Sequence, residues 1–263
     1  MIWPALLAVV YPLLFQGPDT SAFTKVPAPG VRYRMNMATA TSAPWVDSNI
    51  WRYRRDPKAS YLCDVRQKSA PLAMAEGFME GVKLSLQSSP EQKADYDAML
   101  EFLKQIPEGA KTPWVNLTIS DDGSPQAGEV LNLLSRRNIF YQVGSKADFA
   151  LSSKISNPYE HMQEIREKLG DDKRVLRLFG SELTLAELAR DGKRIRLHLL
   201  NYGNRKVEDL RIRIQGRFRE SDIKLYVFNS PQPKLKDFVE DRGATEFTLD
   251  LLPLYAVLDF ESR

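Results

Sequence analysis

With 263 residues, 43% of them hydrophobic, the chain can build one large domain or two ordinary ones with proper cores. Its 37 Lys and Arg against 34 Asp and Glu leave a net charge of +3 with the two signs interspersed, which argues against nucleic acid as a partner. One cysteine, Cys63, and two histidines, His161 and His198, supply neither an internal disulfide nor a soft-ligand metal site, and no metal or cofactor is expected.

Residues 2–15, IWPALLAVVYPLLF, form an uncharged apolar lead followed by the polar run QGPDTS. This fits a signal peptide over residues 1–23 and a secreted or periplasmic protein. The lead is shorter than the roughly 20 apolar residues of a membrane span, and Pro4 and Pro12 interrupt it, so no stable span is expected. A buried first element of the fold is the alternative. Residues 24–44, rich in Pro, Gly, Ser and Thr, read as a linker or extended lead-in.

An α/β region is expected over 45–180. ASYLCDV reads as a short strand, and helical spacing follows over 70–86, with Leu72, Ala75, Phe78, Met79 and Val82 on one stripe. A second helix covers 90–106, opened by Ser89-Pro90-Glu91. WVNLTIS is a strand, 126–137 a helix, IFYQVG a strand, 158–169 a helix and RVLRLFGS a last strand. That order implies parallel pairing. From 181 to 263 the period changes to two. Ile195, Leu197 and Leu199 alternate with Arg194, Arg196 and His198, and Leu210, Ile212 and Ile214 alternate with arginines. An antiparallel β-sandwich with one wet face per sheet is expected there, and it places His198 at the surface.

The densest polar and aromatic cluster is PWVDSNIWRYRRDP. If 45–51 is extended, Trp45, Asp47, Asn49 and Trp51 share one face, beside Arg52. Rings beside carboxylate and amide groups suit a sugar, whose C–H faces stack while its hydroxyls bond. The same letters also fit two packing tryptophans and an Asp47 that caps a turn. Glu76 and Glu80 stand i,i+4 on the 70–86 helix. They read first as a solvated face with Lys83; Asp47 with Glu76 is the candidate catalytic carboxylate pair. Ser135, Arg136, Arg137 and Asn138 close a helix, stabilising its end or clamping an anion.

The stretch KRIRLHLLNYGNRKVEDLRIRIQGRF, with TEFTLDLLPLYAVLDFE, resembles the small C-terminal β-domain of secreted glycoside hydrolases. WVNLTISDDGSPQAGEVLNLLSRRNIFYQVG resembles the non-catalytic, glutamine-amidotransferase-like α/β domain that follows the barrel in β-galactosidase-type enzymes. Together these cover roughly residues 110–263. A complete (β/α)8 barrel needs about 250 residues, so what precedes is at most a reduced or partial barrel. Three readings stand. The chain is a carbohydrate-associated protein with the Trp45, Asp47 and Trp51 cluster on a saccharide; or a glycosidase using Asp47 and Glu76; or a structural module that assembles as a homo-oligomer.

Overall fold

The computed structural model describes residues 10–36, 41–230 and 232–261. In chain order the elements are β1 (Leu13–Leu14), β2 (Thr24–Val26), β3 (Gly30–Asn36), β4 (Thr41–Asp47), α1 (Ile50–Arg55), β5 (Ser60–Asp64), α2 (Ala70–Met79), β6 (Lys83–Gln87), α3 (Lys93–Gln105), β7 (Leu117–Asp121), α4 (Pro125–Arg136), β8 (Tyr141–Val143), β9 (Phe149–Leu151) and α5 (Pro158–Leu169). Then follow β10 (Leu176–Phe179), β11 (Thr184–Asp191), β12 (Arg194–Asn201), β13 (Val207–Gln215), β14 (Ile223–Val227), β15 (Leu235–Asp241), β16 (Ala244–Leu252) and β17 (Tyr255–Glu261).

The first half holds two small parallel sheets, β1-β6-β5-β2 and β8-β7-β9, and the β3-β4 hairpin. Proline in the first turn behind a capping side chain starts three helices. Ser69 caps α2, Ser124 caps α4 and Asn157 caps α5, each accepting a bond from a first-turn N–H. The second half is an antiparallel sandwich of β10-β13-β16-β15 on β11-β12-β17-β14. No helix of the described residues is long and apolar enough to cross a membrane.

Several local expectations change. The apolar lead is described from residue 10, its earlier part lying outside the described residues, and it contributes β1, which pairs with β6. Tyr11 stacks on Phe78, and Tyr96 donates its hydroxyl to the Pro12 carbonyl. The 24–44 segment is no mere linker: Thr24–Val26 pairs parallel with β5, and Gly30–Asn36 forms a hairpin strand. The 70–86 helix stops at Met79. Gly81 takes φ +65°, which favours glycine, and Val82, Leu84 and Leu86 then alternate inward through β6. Helical and strand periods coincide over so short an apolar run, so spacing alone did not part them. RVLRLFGS, expected to end the α/β region, pairs antiparallel with β13 in the sandwich.

β13 alternates as expected, but β12 is buried on both sides, because the α2–α3 layer covers the outer face of its sheet. His198, expected at the surface, is therefore a core residue. Its Nδ1 lies 2.6 Å from the Tyr255 hydroxyl, and burial pushes its pKa down to about 3, with Arg196 adding repulsion. Arg196 is itself buried, bonded to Asp259 and to the Pro107 carbonyl at 2.7 Å.

The same layer corrects the reading of Glu76 and Glu80 as a solvated face. All of α2 except Pro71 is buried, and Glu76 has no exposure. Glu80 accepts a forked pair of bonds from Arg54 of α1 at 3.0 and 3.1 Å, and Arg54 also pairs with Glu187 of β11. One guanidinium thus ties α1 and α2 to the sandwich. Its loss would strand two buried carboxylates. Arg54→Ala should lower the unfolding free energy by about 3–5 kcal/mol in urea titrations; a change under about 1 kcal/mol would show that the cluster is solvated.

Candidate functional site

A cleft of about 1020 Å³ opens where the β3-β4 hairpin, the start of α1, the loop after β5 and α4 meet. Its wall includes Trp45, Asp47, Ser48, Trp51, Arg52 and Arg32, with Asp64, Arg66, Lys68, Glu129 and Asn132 around them. The expected extended run over 45–51 does not form. β4 ends at Asp47, Asn49 takes the cap position of α1, and Trp51 and Arg52 lie in that helix. Trp45, Asp47, Trp51 and Arg52 nevertheless line the same cleft.

Each is held from outside. Asp47 is ion-paired with Arg32, its strand neighbour across from Trp45 in the hairpin. The Arg136 guanidinium lies 3.4 Å from the centre of the Trp45 ring. Arg136, a basic residue in the last turn of α4 as expected, also joins α4 to the cleft wall by stacking. Trp51 carries Arg52 at 4.3 Å and Arg55 at 5.2 Å from its ring centre. It also packs on Gly128 of α4 so closely that a Cβ there would sit 2.8 Å from the ring. Arg55 is in turn fixed by Asp121 at the end of β7, at 2.5 and 3.0 Å.

Asn49 does not line the cleft. It is buried, its side-chain N–H groups reaching the Pro27 carbonyl at 2.8 Å and Glu76 at 3.2 Å, while its backbone N–H donates to Glu76 at 2.8 Å. Glu76 sits behind the wall and also accepts the Tyr202 hydroxyl at 2.6 Å. Asp47 and Glu76, the candidate catalytic pair, are thus separated in environment: one faces the cleft and the other lies in the core.

Sequence reasoning missed Ser48 and Asn132. Ser48 Oγ and Asn132 Oδ1 are buried without a hydrogen-bond partner, and both residues line the cleft. These oxygens are themselves closed to solvent, so they lie just behind the cleft surface, and the wall would have to shift for a ligand to reach them. Ser48 stood within the quoted cluster; Asn132 had no signal beyond its place on a predicted helix. Arg32 was likewise invisible, because its strand fell in the expected linker.

Burial pushes the Glu76 carboxyl from 4.5 up to about 7, although the Tyr202 and Asn49 donors pull the other way. The folded state then holds a proton that the unfolded chain releases between those values. The Glu76 contribution to stability should be full below about pH 4.5 and fall by about 3 kcal/mol as pH rises to about 7, while the lowered pKa of His198 contributes in the opposite direction over part of the same window. The stability difference between the native chain and Glu76→Gln, read in denaturant titrations across that window, should change by about 3 kcal/mol from about pH 4.5 to about 7; a difference constant with pH would assign the titration to another group.

No protein-family model matches the chain, and no curated protein matches it in sequence. Among solved structures it is similar to alpha-L-fucosidase isoenzyme 2 from Paenibacillus thiaminolyticus, with a TM-score of 0.56 and 8% identity over 78% of this chain and 61% of that one. Looser matches include the alpha-amylase from H. orenii, at TM-score 0.23, 12% identity and 81% of this chain over 56% of that one. A GH30 endoxylanase from Clostridium papyrosolvens C71 matches at TM-score 0.24 and 8% identity, 81% of this chain covering 60% of that one. The fold is like that of the fucosidase chain over the superposed part. The chain spans about three fifths of the length of the fucosidase chain it superposes on.

Proposed function

We propose that the protein is an extracytoplasmic, non-catalytic saccharide-binding protein whose site is the Trp45–Trp51 cleft. The observation that carries this reading is the lining itself. Two tryptophans held by arginines stand beside the Asp47 carboxylate and the Arg32 and Arg52 guanidinium groups. Flat apolar rings with convergent polar atoms are what a sugar's two kinds of surface require. The likeness of fold to a fucosidase makes a saccharide the first class to try. Export rests on the apolar composition of the lead alone, since the pairing of Leu13–Leu14 with β6 favours the lead as a first element of the fold over a cleaved signal peptide.

The settings of Asp47, Asp64 and Glu76 favour binding over hydrolysis and leave Glu129, which accepts the Asn132 side-chain N–H at 3.3 Å, as the cleft's remaining carboxyl. A glycosidase needs one carboxyl that keeps its proton and a second carboxylate, both at the scissile bond. Asp47 is tied to Arg32, and Arg66 holds the Asp64 carboxyl below its usual range. Glu76, whose pKa would suit an acid, does not line the cleft. An assembly module would need an apolar face. The exposed large hydrophobics among the described residues, Leu13, Tyr33, Tyr159, Phe179 and Val239, lie on five separate elements.

A glycan array followed by thermal-shift titration of the full chain tests the reading. A neutral oligosaccharide should raise the melting temperature, and Trp51→Ala and Asp47→Asn should each weaken binding about tenfold or more while leaving the fold intact. No shift at millimolar sugar, or a shift kept in both variants, would reject the cleft as a saccharide site.

A further inference from the structure

We infer that the chain has a second site, for an acidic sugar residue of an anionic oligosaccharide, at the end of the sandwich where β11, β13 and the β15–β16 turn converge. A cavity of about 340 Å³ lies there, near the lower end of the usual size of small-ligand sites. Arg190, Arg213, Arg217 and Arg242 line it, against the lone acidic lining residue Asp172.

Trp114 forms a wall. The segment before β7 is fastened to β11, the Trp114 N–H reaching the Leu188 carbonyl at 2.8 Å and the Arg190 N–H reaching Thr112 at 2.7 Å. This holds Trp114 under the Arg190 guanidinium, 4.8 Å from its ring centre. Arg190 gives its Nε–H to the Gly192 carbonyl and has no carboxylate partner among the described residues. Arg213 is engaged with Glu246 at 3.3 Å and forms the cavity's fixed positive side. Arg217 and Arg242 reach their nearest carboxylates, Glu240 and Asp241, only at 3.8 and 3.9 Å, beyond hydrogen-bond length, and stay 69% and 85% exposed.

Planar guanidinium forks converging on a pocket match the two oxygens of a carboxylate or sulfate, and an indole wall matches the ring that carries it. A bare inorganic anion would use the forks but not the wall. Only the choice of a sugar as the carrier rests on the cleft's proposed function; the charge and the place do not.

Calorimetric titration of the full chain with hexagalacturonate, its methyl ester, a sulfated hexasaccharide and inorganic sulfate tests this. One or both acidic hexasaccharides should bind in a salt-sensitive manner, with the ester and inorganic sulfate at least about tenfold weaker. Arg217→Ala with Arg242→Ala, both exposed and outside the core, should weaken binding about tenfold or more, and Trp114→Ala should also weaken it. Trp51→Ala should leave it unchanged. Binding lost in Trp51→Ala but kept in the arginine variant would place the acidic sugar in the cleft and overturn the second site. So would equal binding of the neutral ester, full binding by sulfate alone, or no binding of either acidic chain. None of these outcomes touches neutral-sugar binding in the cleft, which is read separately.

Discussion

Arg54 is the residue on which the arrangement depends. It extends from α1 into a space closed by α2 and β11, with the Phe140 and Tyr141 rings 5.9 and 5.2 Å from its guanidinium. There it binds both Glu80 and Glu187. Desolvation pushes both carboxyls upward against the pull of the guanidinium, because two acids share one cation in a dry place. Three elements far apart in sequence meet at one charge. Such a cluster adds little net stability over apolar packing, but it tolerates the loss of no partner and so fixes how the layers meet.

That registry reaches the cleft through α1. Arg54 and Arg55 are neighbours; the first points into the junction with the sandwich, and the second binds Asp121 at the end of β7. Trp51, one helical turn earlier, lies under Arg55 and against α4, while Asn49 at the helix start is bonded to Glu76 of α2. Glu76 is in turn bonded to Tyr202, which follows β12. The α1 side of the cleft wall is thus positioned by buried polar contacts to the neighbouring elements, while Asp47 is held at the hairpin by the exposed Arg32. A binding site placed this way loses little conformational entropy when a ligand arrives.

Much of the architecture was legible in the sequence, and the failures have physical causes. The β7-α4-β8 order followed from clean changes of period, as did β13, whose outer face is wet. β12 misled because a second layer covers its outer side, and an alternation of apolar and polar residues does not say what lies over the polar ones. His198 and Arg196 are polar letters in a buried strand, matched by Tyr255 and Asp259 from the neighbouring β17. Glu76 and Glu80 misled in the same way: a carboxylate pair looks solvated until its partners arrive from Asn49, Arg54 and Tyr202. The cluster around Trp45 and Trp51 stood out by composition, whereas Arg32, Ser48 and Asn132 come to the cleft through tertiary packing that local spacing does not encode.

The most direct test of this account is hydrogen exchange on Arg54→Lys, which keeps the charge but replaces the fork with a single point donor. Faster exchange is expected for the amides of α1 and α2, with protection in β13 and β16 as in the native chain. Native protection throughout α1 and α2 would show that apolar packing alone holds the layers together, and that Arg54 does not place the cleft.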